Sequence, residues 1–368
     1  MVIRGLTMPK LVARLFIVLV VNSLSFAQGF WGNEFPERKI KYDPKTYVCY
    51  RTTNAVILDG KITEKAWESA PWTDSFVDIE GDLKPKPYHD TRVKMLWDEN
   101  YFYFAALLEE PHVWATITER DEVIFKDNDF EIFLDPDGDT HNYYEIEVNA
   151  LETEWDLILL KPYHDEDKVV IDSWDIPGLI TQVHVDGTLN DPSDKDKSWS
   201  IEIAVPWKAF ISNYRSNSPP EEGEQWKVNF SRVHWETDIV NGKYVKTNTP
   251  EFNWVWSPQG LIYMHMPDLW GLVQFTELPP ENNQVQFRES NLDKIKWALR
   301  QLYIRQRNYY FKNEKYTASI QALDLRKAPA KGIPWPPKIV VTPSGWEASL
   351  NWNDQKVIIR KDGKVWAE

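Results

Sequence analysis

The sequence predicts an all-β protein, an antiparallel β-sandwich of the jelly-roll or immunoglobulin-like kind, with a small C-terminal α+β appendage. Three observations predict it. Apolar residues recur at every second position in many short runs. Turn-forming residues punctuate these runs, with 24 prolines and 15 glycines spread along the 368-residue chain. Three-four spacing is sustained only late, in residues 291–313, beyond a polar linker at 277–290 that contains Pro279-Pro280 and Asn282-Asn283.

Taken in order, the chain opens on a targeting segment. Arg4, Lys10 and Arg14 precede an apolar run over residues 15–24, and Ser25-Phe26-Ala27 fits a small-x-small cleavage site. Residues 1–27 therefore read as a secretory signal peptide, with an uncleaved anchor as the alternative. The expected location is secreted or periplasmic. No later segment is apolar enough to span a bilayer. Removing the leader removes three basic residues and takes the formal charge from −14 to −17, which argues against a nucleic-acid partner. Cys49 is the single cysteine, so no intrachain disulfide braces the fold.

Residues 28–47 read as an N-terminal arm. A β-sandwich is expected over 48–276. Residues 56–62 form a short strand and turn, and Thr63 is positioned to cap a helical turn that carries Trp67. Val93, Met95 and Trp97 alternate, Asp98-Glu99-Asn100 turns, and residues 101–108 run back as a strand apolar on both faces. The strongest signal is the hairpin at 128–149. Phe130, Ile132 and Leu134 alternate with Glu131 and Phe133; after Pro136-Asp137-Gly138, Tyr144, Ile146 and Val148 alternate with Tyr143, Glu145, Glu147 and Asn149. Further strands are expected near 155–160, 180–185, 199–205, 226–235, 254–256 and 270–275, with a short helix started by Pro206. Residues 291–368 are expected to form one amphipathic helix and a small antiparallel sheet, with the helix a candidate docking face for a protein partner.

The face of the 128–149 hairpin that carries Glu131, Glu145, Glu147 and Asn149 among aromatic rings is a candidate site for a glycan or oligosaccharide. The bland alternative is a solvated outer face. Trp254 and Trp256, two apart on a strand, form a candidate stacking platform, although core packing also accounts for them. Asp135, Asp137 and Asp139 in one turn offer hard oxygen ligands at alternate positions, which suits a structural calcium ion; a solvated acidic turn is the alternative. There is no zinc-ligand spacing, P-loop, dinucleotide fingerprint or nucleophile elbow. Glu145 and Glu147 form a carboxylate pair of the kind a glycoside hydrolase uses, but strand alternation produces such pairs often.

Several motifs occur together in one order. They are Asp59-Gly60-Lys61-Ile62 with Trp67; Val93 to Trp97 followed by Asp98-Glu99-Asn100-Tyr101-Phe102-Tyr103; Asp129 to Asp135; Ile201 to Trp207; and Trp270-Gly271-Leu272. In this the chain resembles the family-9 carbohydrate-binding modules over roughly residues 48–275. The resemblance implies a β-sandwich, non-catalytic sugar binding and structural calcium. The family's two stacking tryptophans fall at Phe125 and Met264 here, Glu131 matches a polar ligand contact, and the ligand-binding arginine falls at Glu147. The expected function is a secreted carbohydrate-binding protein associated with polysaccharide recognition and catabolism. The alternatives are a structural or interaction protein that has lost sugar binding, and an enzyme hydrolysing O-glycosyl bonds.

Overall fold

The computed structural model describes residues 34–163, 169–212, 215–216, 218–282 and 285–368. The expected signal peptide lies outside them, as does the start of the expected arm. Among the described residues, thirteen strands join into one sheet. Its order runs Val170–Ile171, Glu154–Leu159, Tyr143–Asn149, Asp129–Asp135, Gln225–His234, Gly271–Thr276, Thr46–Arg51, Thr91–Trp97, Tyr101–Glu109, Ser198–Pro206 and Ile180–Asp186. Phe252–Val255 branches from Gln225–His234 and pairs in turn with Val77–Asp78. The strand Thr46–Arg51 pairs parallel with both of its neighbours, and every other pairing among the described residues of this sheet is antiparallel.

The sheet curls so that its two halves face each other as a sandwich. Alternation dictates which side chains meet inside. Phe130, Ile132 and Leu134 point inward from one half, and Val93, Met95, Phe102 and Phe104 from the other. The halves touch through Phe104 against Phe230, centroids 5.8 Å apart, and Phe102 against Trp226 at 6.0 Å. Each such side chain contributes about 1.5–3 kcal/mol through removal from water. Cys49 is buried in this core.

Glu202, in the strand Ser198–Pro206, carries the first motif. Its carboxylate accepts from the Asp59 and Gly60 amides, both at 2.9 Å, and from the Trp67 indole at 2.7 Å. Gly60 sits at φ +80, and a Cβ there would lie 2.5 Å from the Val183 backbone, so only glycine fits. The helical turn is Lys65–Glu68 with Glu64 in the capping position and no side-chain cap bond, so Thr63 does not cap it.

The helix Asn291–Asn313 starts at Ser290, whose hydroxyl accepts from the Asp293 amide at 3.4 Å. Ile295, Leu299 and Leu302 pack on Trp346, Leu350, Val357 and Ile359 of a four-stranded sheet spanning 338–367. The arm crosses the same helix. Tyr42 stacks on Trp297 at 4.4 Å, and the Phe35 amide and carbonyl both bond the Asn308 side chain. The apolar stripe through Ile295, Leu299 and Leu302 is thus covered by its own chain, while Tyr310 and Phe311 near the helix end stay exposed. No helix among the described residues is long and apolar enough to cross a membrane.

Candidate functional site

The hairpin Asp129–Asp135 and Tyr143–Asn149 pairs in register, with Glu131 opposite Glu147, Phe133 opposite Glu145 and Asp129 opposite Asn149. Ser231 lies beside Glu131 in the next strand, and Trp155 beside Glu147 on the other side. One face therefore carries the row Ser231, Glu131, Glu147, Trp155. Because strand residues two apart share a face, Asp129 and Glu145 join it.

This face is neither wet nor open. Every residue of both strands is buried, including Glu131, Glu145 and Glu147 at 6%, 4% and 2% exposure. Phe133, Tyr143, Leu157, Leu159 and Trp270 form a second apolar cluster, packed against Met264. His265 closes it, with its Nδ1 3.1 Å from the Tyr143 hydroxyl and Tyr163 edge-on at 4.5 Å. Burial pulls the His265 imidazole down to about 3, so it stays neutral.

The carboxylates respond to the same burial. Desolvation raises Glu131 to about 7 and holds Glu145, Glu147 and Asp129 well above the ordinary carboxylate range, with mutual repulsion adding to it. One oxygen each from Asp129, Glu131 and Glu147 lies within 4.8 Å of the others. Glu147 Oε2 accepts from the Phe125 amide at 3.0 Å, which fixes the Phe125 backbone at the edge of the cluster. The Phe125 ring is 39% exposed and Tyr163 38%. Trp235 donates its indole N–H to the Phe125 carbonyl and carries the Lys246 ammonium 3.9 Å from its ring centre.

Of the expected site residues, the structure brings together Phe125, Glu131, Glu145 and Glu147. It separates the others. Asn149 is fully buried and spends its side chain on the following turn: its oxygen accepts from Leu151 and Thr153, and its amide donates to the Ile117 carbonyl and Asp127. It has nothing left for a ligand. Trp254 and Trp256 are 2% and 1% exposed and belong to the core. Trp254 stacks on His234 at 4.8 Å and Trp256 packs on Phe230, so no indole face is open as a platform. Sequence reasoning missed Asp129, although its spacing from Glu131 marks it as sharing that face.

The acidic turn does bring oxygens of Asp135, Asp137 and Asp139 within 4.8 Å of one another. Yet it is a poor fit for calcium. Asp135 accepts from the Gly138 and Thr140 amides, and Asp139 from the His141 amide while its other oxygen meets the Lys364 ammonium at 2.6 Å. Lys296 holds the Asp137 and Gly138 carbonyls at 2.6 and 3.2 Å. Two ammonium groups thus take the place of a cation and clamp the turn to the C-terminal unit. Two clefts border the helix Asn291–Asn313: one of about 650 Å³ is lined by Asp137, Gly138 and Lys296, and one of about 630 Å³ by the arm and Trp297.

Residues 57–221 match the family model described as carbohydrate family 9 binding domain-like. No curated protein matches the chain. Among solved structures it is similar to a family 9 carbohydrate binding module from Caldicellulosiruptor kristjanssonii in complex with cellotriose, at 15% identity, covering 67% of this chain and 100% of that one, with a TM-score of 0.43. A Caldicellulosiruptor kristjanssonii family 9 module in complex with glucose gives 15% identity, 62% and 96% coverage and a TM-score of 0.41. A Bacteroides uniformis protein, whose assignment to carbohydrate binding is itself provisional, gives 17%, 63%, 100% and 0.47.

Proposed function

We propose that this chain, which carries a family-9-like carbohydrate-binding domain over residues 57–221, binds carbohydrate without cleaving it. The observation that carries the reading is the joining of the half-exposed Phe125 ring to Glu147 through its own amide, at the rim of the Glu131–Glu147 cluster. The ring face of Phe125 supplies stacking for a sugar at the rim of this buried cluster. In the same reading the chain is exported by its leader and assists polysaccharide catabolism as a recognition protein.

A glycan array followed by isothermal titration of the hits tests this. Binding of at least one glycan, weakened about tenfold (about 1.4 kcal/mol) by Phe125→Ala, is the expected result. Wild-type protein silent on every glycan, or product release abolished by Glu147→Gln, defeats it.

A further inference from the structure

The acidic clusters of this molecule differ in how their charge is answered. Asp156, with Asp121 and Asp175, surrounds the Arg120 guanidinium. The 135–139 turn has Lys296 and Lys364. Glu110 pairs with Arg232 at 2.8 Å. Glu202, beside Asp59 and Glu64, accepts from three N–H donors. The cluster Asp129, Glu131, Glu147 is different. All three are buried, Glu145 lies beside them, and among the described residues no lysine, arginine or histidine forms an ion pair with any of the four. The charges that act on them are one another's and that of Asp127, all negative.

A second observation points to a missing partner. Asp129 Oδ1 accepts from the Val233 amide at 3.2 Å, whereas Oδ2 is buried and has no hydrogen-bond partner. A buried carboxylate oxygen left bare costs several kcal/mol, on the order of the desolvation of a charged group. Glu147 likewise commits Oε2 to the Phe125 amide and keeps its other oxygen for the cluster. Three oxygens at most 4.8 Å apart lie no more than about 2.8 Å from their common centre, close to the 2.3–2.6 Å of calcium–oxygen bonds. The donors are all hard oxygen, and the set can present three negative charges to a cation that displaces its protons.

We infer that Asp129, Glu131 and Glu147 form a buried site for a divalent cation of calcium's class, on the strand face that also carries Glu145 and Ser231. The site uses the Glu131 and Glu147 carboxylates whose rim the proposed sugar site borders, and it is distinct from the Asp135–Asp139 turn. Magnesium, which demands a smaller octahedron and keeps its waters, fits it less well.

The test uses the full mature chain stripped with chelator and titrated with calcium chloride by calorimetry, and with terbium, whose emission Trp155 is placed to sensitise. The expected result is one equivalent taken up at neutral pH, with affinity falling at least about tenfold in Asp129→Asn and Glu147→Gln and unchanged in Asp137→Asn. In chelator Glu147→Gln should melt higher than wild type, since it removes one unanswered charge; added calcium should reverse the order. Failure of wild type to take up calcium overturns the proposal, as does uptake lost in Asp137→Asn but kept in Asp129→Asn. If a variant does not fold, terbium located in crystals of wild type decides: at Glu131 and Glu147 it supports the site, elsewhere it refutes it.

Discussion

Glu131 and Glu147 face each other across a ladder rung, an arrangement that costs stability wherever both are ionised. Burial holds Glu131 protonated up to about pH 7, against an ordinary value of 4.5. The folded chain therefore keeps protons that the unfolded chain releases. Unfolding sheds them between these two values, so stability falls as pH rises from about 4.5 to about 7. Urea midpoints measured in chelator at pH 5 and pH 7.5 should show the drop, and Glu131→Gln should flatten it. A midpoint that rises across this window in wild type contradicts the account. The role of each residue here was only partly legible. Glu131, Glu145 and Glu147 could be placed on one face from period-two spacing, because the strand pleat enforces it. That Asn149 folds back on its own turn, and that Trp254 stacks on His234, depends on contacts between distant segments.

The hairpin turn is the element that ties the two parts of the chain together. Asp139 meets Lys364, the Asp139 carbonyl accepts from the Val365 amide, and Lys296 holds two turn carbonyls. Nearby, Lys227 pairs with Asp293 at 2.6 Å with both largely buried. Removing one partner of such a pair leaves the other charge uncompensated. Lys296→Ala combined with Lys364→Ala should cost about 3–5 kcal/mol in urea unfolding and raise amide exchange in residues 291–313 before the sandwich. Equal exchange in both parts would show that the turn does not carry the docking. The acidic spacing of Asp135, Asp137 and Asp139 suggested a cation, and a cation is there as lysine ammonium. The two lysines lie far along the chain, so local spacing could not reveal them.

At the scale of the whole molecule, the C-terminal helix packs on its own chain through residues buried along its length. Arg300 is fully buried, with Nε 3.3 Å from Asp268 and Nη1 2.9 Å from the Gly363 carbonyl. Leu261, Met266 and Leu269 line the opposing surface with Tyr42 and receive Trp297 of the helix. A chain ending at residue 284 would expose these apolar groups and leave Asp268 and Lys227 without their ion-pair partners Arg300 and Asp293. It should melt lower than the full chain and self-associate, as read by scanning calorimetry and light scattering. A monomeric truncation with an unchanged melting temperature would mean that the sandwich stands alone.

The sequence by itself determined the fold class, the strands of the sandwich and the late helix, because alternation and three-four spacing are local consequences of backbone geometry. It also determined which side of the 128–149 hairpin carries acid. Tertiary structure decided whether that side is open. Tyr163, Met264, His265 and Trp270 arrive from elsewhere and bury it, which turns a solvated row of carboxylates into a cluster whose protons or counter-ion must come from outside the chain. Burial is a property of the surroundings, and no spacing within one strand encodes it.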